Sequence, residues 1–315
     1  MKAIILQNAG SAANLEMSDV PVPIIKENEV LVKVEAIGIN PIDIKARNNA
    51  YVLNYIVGVE RPAILGWDIS GTVTSVGSEA TAFKIGDEVF GMINFSGRGS
   101  AYAEYVAAPA SQISKKPSQI THHEAAAASM ALLTAWQLVV TNGKVKAGDR
   151  VLVHAAAGGV GHFAVQIAKH LGAHVIGTSS AANRDFILGI GADEHIDYTA
   201  KPFEDGLTNI DFVIDPIGGE TLSRSVGVVR SGGSVASIVT SEFTENDQLK
   251  AKDNGVRLLT VLVRSNPEDL AALADLLEKG IIKPHVSKTF KFDEMVQAHV
   301  HVESGKAVGK VTVSV

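Results

Sequence analysis

Six short β-branched runs separated by amphipathic stretches occupy the middle of this chain, and they limit its fold more than any other feature. The runs are Val151–His154, His174–Gly177, His195-Ile196, Phe212–Ile214, Ser234–Ile238 and Leu258–Val263. Helical patterns fall between them at Val160–Leu171, Asn183–Ile190 and Thr221–Val229. Helical crossovers make successive strands parallel and cover both sheet faces, so the segment is an α/β, doubly wound parallel sheet.

The first of these strands runs into His154-Ala155-Ala156-Ala157-Gly158-Gly159-Val160-Gly161, which then opens a helix. In that context a glycine turn has a mechanism. Ala155, Gly158, Gly159, Val160 and Gly161 bring backbone close to a pyrophosphate. The unpaired amides of the first helical turn then offer it a partial positive charge. A dinucleotide is the implied cofactor. NAD enzymes ordinarily carry Asp or Glu about twenty residues on, at the end of the second strand. Here Gly177-Thr178-Ser179-Ser180-Ala181-Ala182-Asn183-Arg184 stands in that place. Thr178, Ser179, Ser180, Asn183 and Arg184 supply donors suited to a 2′-phosphate, which favours NADPH over NADH.

The flanks read differently. Before residue 122, Glu29–Ile37 alternates in the manner of a half-buried strand, and Gly66, Gly71, Gly77, Gly86 and Gly91 recur between apolar segments. Such spacing suggests a small, strongly bent β-barrel-like domain. After residue 264, Glu268–Glu278 and Asp293–Ser304 are helical, while Val286–Phe292 and Gly309–Val315 are extended. These add no further βα unit. The expected division is residues 1–121 with 265–315 in one domain and 122–264 in the cofactor domain.

Composition narrows the partners. Apolar residues make up 46% and charged residues 20%, enough to pack two cores in 315 residues. A net charge of −6 gives no basic field for nucleic acid or anionic lipid. Cysteine is absent, which removes disulfides, thiolate nucleophiles and Cys-ligated metals. The N-terminal apolar run is too short for a signal peptide, and Glu124–Val140 is too short and too polar to span a bilayer. A soluble cytoplasmic protein is expected. No Gly-x-Ser-x-Gly elbow occurs, which argues against a hydrolase.

Several ordered motifs resemble the zinc-independent quinone oxidoreductases of the medium-chain dehydrogenase/reductase superfamily. They are Asn40-Pro41-Ile42-Asp43-Ile44-Lys45, the Gly66-x-Asp68-x-x-Gly71-x-Val73 stretch, Ala126–Trp136 with Leu133-Thr134-Ala135, the turn Ala155-x-x-Gly158-x-x-Gly161, and Gly309-Lys310-Val311. The resemblance spans nearly the whole chain. It implies a GroES-like catalytic domain, a Rossmann-type cofactor domain and NADPH between them. It also implies Asn40, Asp43 and Thr134 at the nicotinamide end, Lys310 near the domain cleft, and Ser179, Ser180, Asn183, Arg184 and Tyr198 around the adenosine phosphate. Where zinc-dependent members of the superfamily use a Cys and a His-Glu pair, this chain has Gly38 or its neighbours and Trp67-Asp68. No catalytic zinc is expected. His122-His123 and His299 with His301 lack the spacing of a helical zinc pair.

Metal-free hydride transfer suits quinones and enones, whose conjugation carries the developing charge to a distant oxygen. Asn40 and Tyr51 are the expected donors to that oxygen; no proton donor is assigned. The alternative is an NADPH-binding sensor or stress protein with little turnover. The apolar run Leu258–Val263, near the expected sheet edge, suggests a homodimer joining two cofactor-domain sheets.

Overall fold

The computed structural model describes residues 1–315. They divide into two compact units, Met1–Leu133 with Arg264–Val315, and Thr134–Val263.

The first unit begins with the antiparallel pair β1 (Lys2–Leu6) and β2 (Leu15–Asp19). Next come β3 (Glu29–Ile39), α1 (Pro41–Asn48), α2 (Ala50–Val57), β4 (Ala63–Ile64), β5 (Asp68–Val76), β6 (Glu88–Met92), β7 (Tyr105–Pro109), β8 (Ser114–Lys115), α3 (His122–Ala127) and α4 (Met130–Trp136). In β3, Val30, Val32, Val34 and Ala36 face the core and Lys33 faces solvent, as alternation requires. Beyond Ala36 the alternation stops. Ile37, Gly38 and Ile39 are all buried, because α3 packs on β3, β5 and the C-terminal strand and covers the second face. For the same reason His122–Ala127 lies with the first unit, although its sequence reads as the start of the second.

In the second unit, β9 (Arg150–Val153) leads to α5 (Gly161–His170), β10 (His174–Ser179), α6 (Arg184–Gly189) and β11 (Glu194–Asp197). Then come β12 (Ile210–Asp215), α7 (Gly219–Ser225), β13 (Val229–Ser237), α8 (Glu245–Asp253) and β14 (Arg257–Thr260). The strands are all parallel, in the order β11-β10-β9-β12-β13-β14. The α/β reading with a doubly wound parallel sheet thus holds, and the order reverses between β9 and β12. Leu152, Ile176, Val213 and Val235 form the core with Leu222, Val226 and Ala251. Helix α8 has no clear apolar stripe to betray it. It is set by the Thr244 hydroxyl, which accepts from the Asp247 amide. The edge strand β14 ends at Thr260, short of the expected Val263; Leu262 turns to solvent while Val261 and Val263 are buried.

The chain then returns to the first unit through α9 (Pro267–Glu278), β15 (Val286–Lys291), α10 (Met295–Glu303) and β16 (Lys310–Ser314). β16 pairs parallel with β15 and antiparallel with β3, giving the main sheet β15-β16-β3-β5-β6-β8, with β7 paired to β3. No helix is long and apolar enough to cross a membrane.

Candidate functional site

Two groups of the expected residues are assembled, one in each unit. In the second unit, Ala155, Gly158, Gly159, Val160 and Gly161 form the turn leaving the carboxyl end of β9. Ala155 adopts a left-handed φ of 45°. A Cβ on Gly161 would lie 2.2 Å from the Ala155 carbonyl oxygen and 2.8 Å from Ala156 Cα, so only glycine lets α5 start this close to the strand. A Cβ on Gly158 would meet only Ala155, at 3.1 Å, so the outer face of the turn is open. The Gly159 and Val160 amides donate to no backbone carbonyl. A concave run of unspent N–H groups before a ten-residue helix fits a pyrophosphate.

At the end of β10, Thr178 and Ser179 are buried and already engaged. Thr178 Oγ1 lies 3.0 Å from His154 Nδ1, and Ser179 Oγ donates to the Ser180 carbonyl at 2.9 Å and lies 2.9 Å from His195 Nε2. Ser180, Asn183 and Arg184 are more accessible around the short 3-10 turn that opens α6. Tyr198 is 56% exposed beside them, its amide donating to the Ser179 carbonyl at 3.3 Å. Asp197 pairs with Ser179 in the β10–β11 ladder, but its carboxylate is spent on the Thr199 amide and hydroxyl, 2.9 and 2.7 Å away.

Sequence reading missed two features here. Asp215, at the end of β12, accepts from the Ile217 and Gly218 amides and shapes the turn opposite the β9 turn across the switch point. Burial pushes its carboxyl up, although those amides hold it down. Ile217 and Val239 stand exposed at the carboxyl ends of β12 and β13, an apolar face beside the β9 turn. The second feature is His154, fully buried between Thr178 Oγ1 and Ser225 Oγ. Burial, with Arg224 nearby, lowers it to about 3, so it is neutral and structural at pH 7. The signal for Asp215 was a polar residue ending an apolar strand.

The second group lies in the first unit. The β3–β5 register sets Gly38 against Asp68, and the β3–β16 register sets Ile39 against Val311. Together they bring Asn40, Asp68 and Lys310 to one end of the sheet. Lys310 Nζ donates to the Ile39 carbonyl at 3.0 Å and to Asn40 Oδ1, and lies 3.8 Å from Asp68 Oδ2. Asn40 Nδ2 donates to Asp68 Oδ2 at 2.8 Å, and Asp68 Oδ1 accepts from the Met130 amide at 2.9 Å. Asp43, in the first turn of α1, accepts from the Asn40 amide at 2.6 Å, while its Oδ1 has no partner. Nearby, the Tyr102 hydroxyl is 3.0 Å from His299 Nε2.

All of these groups are buried, and burial dominates their titration. It pushes Asp68 up to about 6 against the pull of Lys310 and Asn40. It pushes Asp43 up to about 8, so that carboxyl is largely protonated at neutral pH. The Lys310 ammonium is pushed down by burial and held up by Asp68 and Asp43. At pH 7 the cluster is a neutral, hydrogen-bonded set built around one ion pair.

Tyr51 is not part of that set. It lies on α2, 77% exposed, its ring stacked on Tyr55 with centroids 6.3 Å apart. Thr134 is buried in α4 and is the first residue of the second unit. The positions that hold zinc in related dehydrogenases do not fit the metal here. A Cβ on Gly38 would lie 2.7 Å from the Ala126 carbonyl oxygen and 3.1 Å from Asp68 Oδ2, and Trp67 is buried with its indole N–H donated to the Gly97 carbonyl. The histidines serve elsewhere: His122 meets Ser70 and Glu88, and His123 meets Thr312 and Ser314.

Residues 26–118 match the alcohol dehydrogenase GroES-like domain, and residues 190–313 match the family described as zinc-binding dehydrogenase. The chain is 36% identical, over 99% of its length and 79% of the relative's, to the 2-methylene-furan-3-one reductase of Solanum lycopersicum. The chain belongs to the medium-chain dehydrogenase/reductase superfamily. Among solved members of the superfamily, the quinone oxidoreductase of Coxiella burnetii superposes with a TM-score of 0.93 at 35% identity, covering 100% of this chain and 99% of that one. The Escherichia coli quinone oxidoreductase complexed with NADPH gives 0.89 at 26% identity, with both chains fully covered. The GroES-like and Rossmann-type assignments of the two units therefore stand.

Proposed function

We propose that this protein is an NADPH-dependent, zinc-independent reductase of quinones or other α,β-unsaturated carbonyls. The observation that carries the reading is the β9 turn, whose unspent amides sit at the point where the strand order reverses. Bound NADPH supplies a hydride to the electrophilic carbon of the substrate. Ala155, Gly158, Gly159, Val160 and Gly161 grip the pyrophosphate. Ser180, Asn183 and Arg184, with Tyr198, hold the 2′-phosphate, Thr178 and Ser179 shaping the strand end behind them. Asn40, Asp43, Thr134 and Lys310 serve the nicotinamide end. The printed activities of the tomato and Coxiella relatives, an enone reductase and a quinone oxidoreductase, support this class, and the NADPH complex supports the cofactor. With no metal to polarise a plain ketone, conjugated substrates match the site's donors best; Asn40 and Tyr51 are the donors proposed for the substrate oxygen.

Purified protein is expected to oxidise NADPH faster than NADH when given a panel of quinones and enones. Arg184→Ala is expected to raise the KM for NADPH about tenfold while leaving NADH use unchanged, as loss of one charge-assisted phosphate contact predicts. Saturable NADPH binding with no turnover on any member of the panel would mean a sensor instead. The exposed edge of β14 is proposed to pair with its copy in a homodimer. Light scattering should give twice the chain mass of 33.1 kDa; a monomer at working concentration refutes the pairing.

A further inference from the structure

Asn40 is the residue preceding α1, where an asparagine side chain ordinarily caps the helix. Two other asparagines in this chain do that: Asn49 Oδ1 accepts from the Tyr51 and Val52 amides, and Asn266 Oδ1 accepts from the Asp269 amide. Asn40 stands in a capping box with Asp43, but its side chain also meets two charged partners outside the helix. The Asp43 amide is taken by the Asn40 backbone carbonyl at 3.0 Å, and the Asp43 carboxyl takes the Asn40 amide. The side chain is only 3% exposed, so these partners are met inside the fold.

Its two ends meet partners of opposite kind. Oδ1 faces the Lys310 ammonium, which can only donate, and Nδ2 faces the Asp68 carboxylate, which can only accept. A flipped amide would set N–H against ammonium and C=O against carboxylate. The flipped orientation is therefore excluded by both neighbours at once. One Nδ2 hydrogen is used on Asp68 and the other remains.

We propose that Asp68 and Lys310 are positioning residues that lock the Asn40 carboxamide in a single orientation, so that its second N–H serves as the hydrogen-bond donor to the oxygen of a conjugated carbonyl substrate. This rests on the proposed function. Lys310 fixes the acceptor end, Asp68 fixes the donor end, and the Met130 amide holds Asp68 in turn. Neither charged side chain needs to touch the substrate.

The test separates positioning from simple packing. Removing either charge alone leaves the other buried and unpaired, whereas Asp68→Asn/Lys310→Met removes both at similar volume. The double variant is expected to keep a melting temperature near that of the unchanged protein. Its kcat with a naphthoquinone or a cyclohexenone should fall on the order of 10- to 100-fold, the size expected for a misaligned donor. Asn40→Ala should cost a similar factor in the unchanged protein but about twofold or less in the double variant, because the amide there is already unlocked. Recovery of full kcat along with stability, or an equal cost of Asn40→Ala in both backgrounds, overturns the proposal. If the unchanged protein reduces neither substrate, the proposed function falls by itself. The side-chain amide protons of Asn40, assigned by their loss in Asn40→Ala, then decide the locking. One slow and one fast exchanging proton, becoming alike in the double variant, upholds it; the same pattern in both proteins overturns it.

Discussion

Gly161→Ala is expected to abolish dinucleotide binding at concentrations that saturate the unchanged protein, and to lower the melting temperature as well. The added methyl would stand 2.2 Å from the Ala155 carbonyl oxygen and 2.8 Å from Ala156 Cα, both backbone atoms. Neither can retreat easily. Ala155 already sits at a left-handed φ, and the Ala156 amide is tied to the Thr178 carbonyl at 3.0 Å. The helix must move instead, and overpacking of this kind costs about 1–3 kcal/mol. Moving the first turn of α5 withdraws its amides from the phosphates. Losing two charge-assisted bonds at roughly 1.5–3 kcal/mol each weakens binding by a factor of about 100 or more. Gly158→Ala is the matched comparison. Its methyl meets Ala155 only at 3.1 Å, so the melting temperature should barely change, while the methyl projects toward the open face and still impairs binding. Calorimetric titration with NADPH, paired with thermal melts of both variants, checks this. Unaltered affinity in Gly161→Ala would show that the turn does not hold the pyrophosphate.

Lys310→Met is expected to destabilise the first unit by roughly 1–3 kcal/mol between pH 7 and 8, about 1.4 kcal/mol for each pH unit above the Asp68 value. Asp68 would keep its bonds from Asn40 and Met130 but lose the only cation within 4 Å. The sign of the pH dependence follows from that carboxyl. Burial already raises it to about 6, and removing Lys310 raises it further. A carboxyl raised in the folded state costs stability as pH rises from its unfolded value of 3.8 toward the folded one. Below that window both states are protonated and the loss of the cation matters little. The stability gap between the two proteins should therefore be nearly flat from pH 4 to about 6 and widen from there toward pH 8, as read by denaturant titrations at several pH values. A gap that stays flat up to pH 8, or that narrows as pH rises, would mean that Asp68 and Lys310 are not an interacting buried pair.

The second unit was largely legible in the residues, since each of its cues is local. The six strands appear close to where their β-branched runs predict, and Gly158 and Gly161 mark the turn by their spacing from Val153. Boundaries were less visible. Helix α8 is amphipathic only weakly, and β14 ends at Thr260 because the chain departs from the sheet, which no residue type announces. The accessibility of Ser180, Asn183 and Arg184, against the committed hydroxyls of Thr178 and Ser179, also depended on how the end of β10 meets His154 and His195.

The first unit's cluster is another matter. Asn40 and Lys310 could be named in advance, but 270 positions separate them, and neither residue type reveals that they meet. Tyr51 could be named too, but not the stacking of its ring on Tyr55. Asp68 read as part of a strand motif, with nothing to mark it as the anion beside a buried ammonium. By itself the sequence determined the strand–helix alternation, the glycine turn and the absence of zinc ligands, because periodicity and side-chain chemistry act within a few residues. Only the tertiary structure decided that the Asn40 side chain meets Lys310 and Asp68. That choice depends on two ladder registers, β3 with β5 and β3 with β16, and a register is the outcome of the whole sheet's packing rather than a property of any one strand.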